Sequence, residues 1–174
     1  MGRSAAAVRR RTAATGEPAK LRLDEFIPYR LAVVAREMSA SLAQKYTHEF
    51  GISIPEWRVM AHLAEVDVCS SGEICARTAM DKAKVNRAVT RLVAAGLVLA
   101  ETSRSDRRLN VLALSRKGRD IYRRIAPIAL DVESSVTQSL TGHERAALLT
   151  ILGKLQRDLD AHTRKHARKQ ARSA

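Results

Sequence analysis

A succession of two helical and two strand-like segments in the middle of the chain constrains its fold more than any other feature. A short helix over residues 73–78 is followed by a tight turn and a longer helix, which Asp81 can cap and Gly96 can end. The runs 97–102 and 109–114 have strand character and are joined by a short polar loop, which is typical of a β-hairpin. Helix, turn, helix and hairpin in this order predict a winged helix-turn-helix.

Helical periodicity on both sides of this segment predicts a mainly α fold with a small β-hairpin. Apolar side chains recur every three or four residues from Asp24 to Gly51 and again in the last third of the chain. Residues that can cap a helix precede the other helical segments: Ser53, Ser70, Ser115 and Thr141. We expect a single domain over residues 23–160. Its central lobe covers about residues 53–115, and its two flanking helical regions cover about residues 24–50 and about residues 116–160.

Basic side chains are concentrated in three parts of the chain. The formal net charge is +13, from 31 basic and 18 acidic residues, and residues 77–124 alone hold thirteen basic against four acidic ones. Such a block predicts a polyanionic partner. Residues 1–22 and 161–174 are also basic, and we interpret them as a flexible leader and a solvated, disordered tail that would raise non-specific affinity for nucleic acid.

The second helix of a helix-turn-helix lies in the DNA major groove, and here its outward face is polar and basic. No acidic residue occurs between Lys82 and Arg91. Asparagine can pair with adenine and arginine with guanine through two hydrogen bonds each, so Asn86, Arg87 and Thr90 are predicted to face base edges. The remaining basic residues of this helix are predicted to contact phosphates: Lys82, Lys84 and Arg91. An ordinary solvated helix face is the plainer alternative.

The loop between the two strand-like runs holds three arginines around one carboxylate. Arg104, Arg107 and Arg108 surround Asp106. A narrow, A·T-rich minor groove concentrates negative potential and attracts arginine. One aspartate does not balance three arginines, so we interpret Asp106 as the partner that orients a neighbouring guanidinium. A solvated turn is the alternative.

Residues 73–118 resemble the DNA-binding half of the MarR family of winged-helix regulators. The matching segments are VNRAV at 85–89, GLV at 96–98, SDRRL at 105–109 and LALSRKG at 112–118. The resemblance covers about residues 24–160. It implies a homodimer interlocked through the N- and C-terminal helices, bound to double-stranded DNA at a pseudo-palindromic operator. It also implies that Arg107 or Arg108 enters the minor groove with Asp106 as the orienting carboxylate.

The same resemblance implies a small effector, because members of this family typically bind aromatic or phenolic acids between the dimer helices and the DNA-binding lobe. The openings of the first two helices, FIPYRL and IPEWRVM, resemble the branch that regulates breakdown of lignin-derived aromatic acids or their acyl-CoA thioesters. The candidate ligand contacts are Phe26, Val33, Trp57 and Met60 for an apolar slot, Arg30 for the carboxylate and Tyr29 for a phenolic hydroxyl. Two alternatives stay open: Trp57 as plain core, and Arg30 as a surface charge paired with Glu25 or Glu37.

Other classes of protein find less support in the sequence. The glycines are scattered and no serine-nucleophile motif occurs, so we expect no enzyme and no cofactor. The histidines are dispersed and Cys69 and Cys75 are expected to be structural, so no metal site is expected. The chain lacks an apolar run that could span a membrane and shows no secretory signal, which predicts a cytoplasmic protein.

Three hypotheses of function follow from these observations. The leading one is a ligand-responsive transcriptional regulator, most simply a repressor that leaves its operator when an aromatic acid or its CoA thioester binds. The second is an architectural DNA-binding protein that uses the basic tails and has no effector. The third is a module whose basic helix face binds an acidic protein. Strong preference for a specific operator over random DNA distinguishes the first from the second.

Overall fold

A computed structural model describes residues 20–102 and 110–171 of the chain. The elements in chain order are α1 (Ile27–Phe50), α2 (Ile54–Val66), β1 (Val68–Ser70), α3 (Ser71–Thr78), α4 (Lys82–Ala94), β2 (Val98–Thr102), β3 (Asn110–Leu114), α5 (Arg116–Val136) and α6 (Gly142–Ala171). The helical pair α3–α4 followed by the pair of strands β2–β3 confirms the predicted winged helix-turn-helix, mainly α with a small antiparallel sheet.

The helix boundaries lie close to their predicted positions because nearby side chains cap them. At the start of α3, the backbone N–H of Ser70 donates to the Glu73 carboxylate at 2.7 Å, and the Ser70 hydroxyl accepts from the Glu73 N–H at 3.3 Å. At the start of α4, the Asp81 carboxylate accepts from the Lys84 N–H at 2.7 Å. Gly96 follows α4 with a φ of 69°, a left-handed conformation that glycine adopts at low cost.

The sheet has one strand more than the predicted hairpin. Its order is β1-β3-β2, so β3 is the central strand. β2 and β3 form the hairpin, with Val98 opposite Leu114 and Thr102 opposite Asn110. The sequence pattern predicts no strand at Val68–Ser70, where β1 pairs with β3. A strand of three residues is too short to show an alternating pattern, and it forms because β3 offers it hydrogen-bond partners.

The hydrophobic core is built from α2, α3, α4, α5, the sheet and the end of α1. The largest fully buried side chains are Tyr46, Val59, Met60, Leu63, Ile74, Val85, Leu92, Val98, Leu112 and Ile125. The spacing of apolar residues predicts a buried stripe on α4 made of Val85, Ala88, Val89, Leu92 and Val93. For Val93 this prediction is wrong, because its side chain is 39% exposed. Val93 follows Leu92 directly, and successive residues of an α-helix point about 100° apart.

The chain divides into two compact units between Ser39 and Ala40, within α1. In the first unit, Arg22 forms ion pairs with Asp24 and Glu25 at 3.1 Å each. In the second unit, α6 continues to Ala171, so the predicted disordered tail is wrong for residues 161–171. Alanine, lysine and arginine are strong helix formers, which explains why the helix continues through this basic stretch.

Two sets of predictions lie wholly or partly outside the described residues. The leader lies outside them up to residue 19, and so does the arginine-rich loop, residues 103–109. In the part of the chain that the structure describes, no helix has the length and apolar character needed to cross a membrane.

Candidate nucleic-acid interface

The turn between α3 and α4 fixes the position of the candidate recognition helix. Ala79 adopts the left-handed conformation with a φ of 52°, and the buried side chain of Met80 anchors the turn in the core. Asp81 then starts α4, and the hydrogen bonds from Lys84 hold the pKa of the Asp81 carboxyl below its usual range. An ionised carboxylate at a helix N-terminus stabilises the helix, so this cap helps to hold α4 in place.

The buried side of α4 determines which residues face away from the core. Val85, Ala88 and Leu92 are buried, whereas the residues predicted for DNA contact on this helix are not. At about 100° per residue, Asn86, Arg87 and Thr90 lie opposite the buried stripe. The three other basic residues lie toward the flanks of this face: Lys82 on one side, and Lys84 and Arg91 on the other.

A groove with a volume of about 250 Å³ runs beside α4, between this helix and the start of α2. Lys84, Arg87 and Arg91 supply its positive charge. The buried Glu56 is also part of the lining, and its carboxylate lies 4.0 Å from a guanidinium nitrogen of Arg91. Ser53 and Glu56 stand three residues apart, a spacing that predicts a capping box, and Glu56 does accept from the Ser53 N–H at 2.7 Å. The contact with Arg91 joins residues of two helices, and no local pattern indicates it.

The predicted wing residues Arg104, Asp106, Arg107 and Arg108 lie outside the described residues. The described strands approach the loop from both sides, as Thr102 and Asn110 form the last pair of the β2–β3 ladder. The wing assignment therefore stays a prediction.

The predicted effector-binding residues fall in both compact units. In the first unit, Phe26, Tyr29 and Arg30 are exposed and Val33 is half-buried. The candidate acidic partners of Arg30 have other partners, because Glu25 pairs with Arg22 and Glu37 with Arg36. In the second unit, Trp57 is half-buried with its ring 5.8 Å from that of Tyr46 and 5.7 Å from that of Tyr122. Met60 is fully buried, so a ligand reaches its side chain only if the core opens.

The two cysteines are free thiols in the second unit. Cys69 is buried and Cys75 is half-buried, and burial raises the pKa of the Cys69 thiol. A thiol that stays protonated is a poor nucleophile, which agrees with the expected structural role. Within residues 20–102 and 110–171, histidine, cysteine and acidic residues do not gather in groups of three or more that would hold a metal ion.

The fold and the exposed basic helix define a winged-helix DNA-binding protein, and comparisons with known proteins agree. A sequence model described as MarR family matches residues 50–109. The transcriptional regulator BilQ of Clostridium symbiosum is 26% identical over 112 residues, which are 64% of this chain and 78% of BilQ. The crystal structure of a MarR-family regulator from Silicibacter pomeroyi superposes with a TM-score of 0.69 at 27% identity, over 80% of this chain and 93% of that one.

Two further solved structures share the fold at lower identity. BpsR of Bordetella bronchiseptica, studied for the regulation of its DNA binding by 6-hydroxynicotinic acid, has a TM-score of 0.70 at 23% identity, over 79% of this chain and 98% of BpsR. A mutant of MarR from E. coli, complexed with operator DNA, has a TM-score of 0.67 at 21% identity, over 79% and 99% of the two chains. The chain is thus similar to MarR-family transcriptional regulators, in sequence over residues 50–109 and in fold over 80% of its length.

Proposed function

We propose that this chain is a MarR-family transcriptional regulator, a homodimeric repressor that binds a pseudo-palindromic operator and leaves it when a small aromatic acid binds. The observation that carries the DNA-binding part is the outward face of α4, which combines polar residues opposite the core with basic residues at both flanks. This arrangement suits a helix that reads bases along its centre and contacts phosphates along its edges.

DNA binding is tested on the region upstream of the regulator's own gene, with random DNA of equal length as competitor. We expect a preference of several orders of magnitude for the upstream region. Equal affinity for both DNAs would contradict a specific regulator and support the architectural alternative. Absence of binding even at low salt would leave only a protein partner for the basic face.

Variants of α4 separate base recognition from phosphate binding. Asn86→Ala and Arg87→Ala should each relax sequence preference by about 1–3 kcal/mol, the usual contribution of one bidentate pair with a base. Lys82→Ala serves as the matched variant, because removing a phosphate-binding charge weakens binding to all sequences. It should also reduce the slope of log affinity against log salt concentration by about one. Uniform weakening by the first two variants would show that they bind phosphate instead.

The wing is tested by replacing Arg107 and Arg108 together with alanine. We expect strongly reduced operator affinity with little change in melting temperature, since an arginine in the minor groove contributes to binding and not to the core. Normal affinity of the double variant would refute the wing assignment.

Exposed apolar side chains in both units support the proposed homodimer. In the first unit they include Leu21, Leu23, Ile27, Leu31, Val34 and Met38, and in the second unit Leu130, Val136, Leu148, Leu149, Ile151, Leu152 and Leu159. Apolar helix faces of this extent are unfavourable in water and indicate an interface. Light scattering should show a dimer for the full chain and a weakened dimer for Leu149→Lys. The matched variant Leu99→Lys, at an exposed position of β2, should remain dimeric.

The effector part is supported by BpsR, whose DNA binding is regulated by 6-hydroxynicotinic acid, an aromatic acid. Phe26, Tyr29, Arg30, Val33 and Trp57 remain the proposed contacts near the openings of α1 and α2. Met60 is left out of this set because its side chain is buried.

This part is tested by titrating hydroxybenzoates, hydroxycinnamates and their CoA thioesters against the operator complex. If none dissociates the complex, the aromatic effector is wrong. Arg30→Ala should raise the concentration required, whereas Arg36→Ala, the matched change on the same helix, should not. An equal response of both variants would exclude Arg30 as the anchor of the carboxylate.

A further inference from the structure

The C-terminal end of α6 is strongly basic. This helix runs from Gly142 to Ala171, and no acidic residue occurs after position 160. The last eleven residues of the helix, 161–171, include four cations: Arg164, Lys165, Arg168 and Lys169. At 1.5 Å per residue this stretch is about 16 Å long. Four positive charges are therefore carried by about three turns of one ordered helix.

The start of α6 is held in place, whereas its C-terminal end is accessible. The backbone N–H of Thr141 donates to the Glu144 carboxylate at 2.8 Å, and the Arg145 guanidinium lies 2.6 Å from the Glu133 carboxylate of α5. Among the described residues, α6 contributes no side chain to the hydrophobic core, and residues 156–165 are all exposed. A partner can therefore reach this end of the helix.

The cations of this end fall on one side of the helix. We define the basic stripe as Arg157, Arg164, Lys165, Arg168 and Lys169, which stand at intervals of four and seven residues. At about 100° per residue, positions with these intervals share a helix face. The leucines of the proposed dimer interface, between Leu148 and Leu159, fall on the opposite face. A dimer that forms through the leucines thus leaves the basic stripe accessible.

Neighbouring carboxylates do not cancel the charge of the stripe. Residues 157–171 hold five basic residues and two acidic ones, Asp158 and Asp160, a net charge of +3. The Asp160 carboxylate accepts from the Gln156 side chain at 3.0 Å. Arg164 donates to the main-chain carbonyl of Asp160 at 3.2 Å, through one of its five N–H groups. Most of the donors of Arg164 are therefore left for a partner.

We propose that the basic stripe is a second DNA-binding surface, which contacts phosphates of duplex DNA and reads no bases. This surface is separate from the outward face of α4, so it goes beyond the proposed function and does not depend on it. Duplex DNA carries about one negative charge per 1.7 Å of its axis, and cations alone suffice to bind it without sequence preference.

The composition of this end favours DNA over two other anionic partners. Alanine is the only apolar residue type after position 159. A helix that lies in a membrane surface needs large apolar side chains such as Trp, Phe or Leu on one face. The core of a protein interface is likewise enriched in aromatic residues and methionine. A phosphate backbone requires neither.

The experiment measures the affinity of the full chain for a random duplex over a series of salt concentrations. The variant Arg164→Gln/Lys165→Gln/Arg168→Gln/Lys169→Gln should lower the slope of log affinity against log salt concentration by about three, since each phosphate contact contributes about 0.9. Glutamine preserves the helix propensity of these positions. The matched variant Lys20→Gln/Arg22→Gln/Arg36→Gln/Lys45→Gln makes an equal charge change at exposed positions before α2 and should keep the wild-type slope.

A wild-type slope in the stripe variant, with wild-type helicity by circular dichroism, would overturn the second surface. An equal decrease in both variants would also overturn it, because the effect would then come from net charge. So would unchanged DNA affinity combined with lost binding to vesicles of anionic phospholipid, which would assign the stripe to a membrane surface.

Operator preference, measured in parallel, separates this surface from the proposed function. The stripe variant should keep the wild-type ratio of operator to random-DNA affinity, and a lost preference would contradict a surface that reads no bases. Absence of any operator preference in the wild type would contradict the proposed repressor. A reduced slope in the stripe variant would still support the second surface in that case.

Discussion

Replacing Gly118 with alanine should destabilise the fold more than its position in the first turn of a helix suggests. A Cβ at this position would lie 2.0 Å from the carbonyl oxygen of Leu97 and 3.3 Å from a methyl carbon of Leu114. The first contact is with backbone, so no side-chain rotation relieves it. The same carbonyl accepts a hydrogen bond from the Ser115 N–H at 2.9 Å, so moving α5 away weakens that bond.

Three effects determine the change in the free energy of unfolding, two of them destabilising and one stabilising. Overpacking costs about 1–3 kcal/mol, and a contact with buried backbone belongs at the upper end of this range. Loss of the Ser115–Leu97 hydrogen bond adds about 1 kcal/mol, and the better helix propensity of alanine returns about 1 kcal/mol. We expect the free energy of unfolding to fall by about 3 kcal/mol, a large part of the stability of an ordinary domain.

Urea unfolding followed by far-ultraviolet circular dichroism, at one fixed protein concentration, measures this change. Gly153→Ala is the matched control, because its Cβ would meet only a flexible guanidinium group at 3.6 Å within α6. That variant should be neutral or more stable by up to about 1 kcal/mol. A Gly118→Ala protein within about 0.5 kcal/mol of the wild type would refute the reasoning from backbone overlap.

Three further predictions concern single polar groups. Ser115→Ala should lower the free energy of unfolding by about 1–2 kcal/mol in urea titrations, because the Ser115 hydroxyl caps α5 and donates to the Gly96 carbonyl at 2.7 Å. Hydrogen bonds lower the pKa of the capping carboxyls of Glu73 and Asp81. The stability that these carboxylates contribute is therefore present above their usual pKa values and is lost as the pH falls through the lowered values. Glu73→Gln should flatten the acid side of a plot of melting temperature against pH. Burial raises the pKa of Tyr46 to about 12. The stability that the neutral form of Tyr46 contributes should therefore be lost as the pH rises from about 10 to about 12. An ultraviolet titration in which all three tyrosines of the folded protein ionise together near pH 10 would contradict this.

Much of the local structure can be predicted from the sequence because the decisive interactions span three or four residues. Ser70 with Glu73 and Asp81 with Lys84 set helix starts through contacts within one turn. The outward face of α4 follows from the spacing of its apolar residues, so none of its candidate DNA contacts is buried. The same spacing wrongly predicts that Val93 is buried, because spacing alone does not show where the buried face of a helix ends.

The features that escape prediction depend on residues far apart in the chain. β1 exists because Val68–Ser70 meets β3, and the groove beside α4 contains Glu56 because α2 packs there. A cavity lined by Leu63 of α2 and Arg119 of α5 likewise brings together residues that are far apart in the chain.

The order of the elements, their caps and the polar face of the recognition helix can all be derived from the amino-acid sequence, because they depend on neighbours along the chain. The burial of Met60, the approach of Gly118 to the backbone of Leu97 and the cavity lined by Arg119 and Arg123 emerge only in the folded protein. Such contacts depend on how whole helices and strands pack, and no short stretch of sequence contains that information.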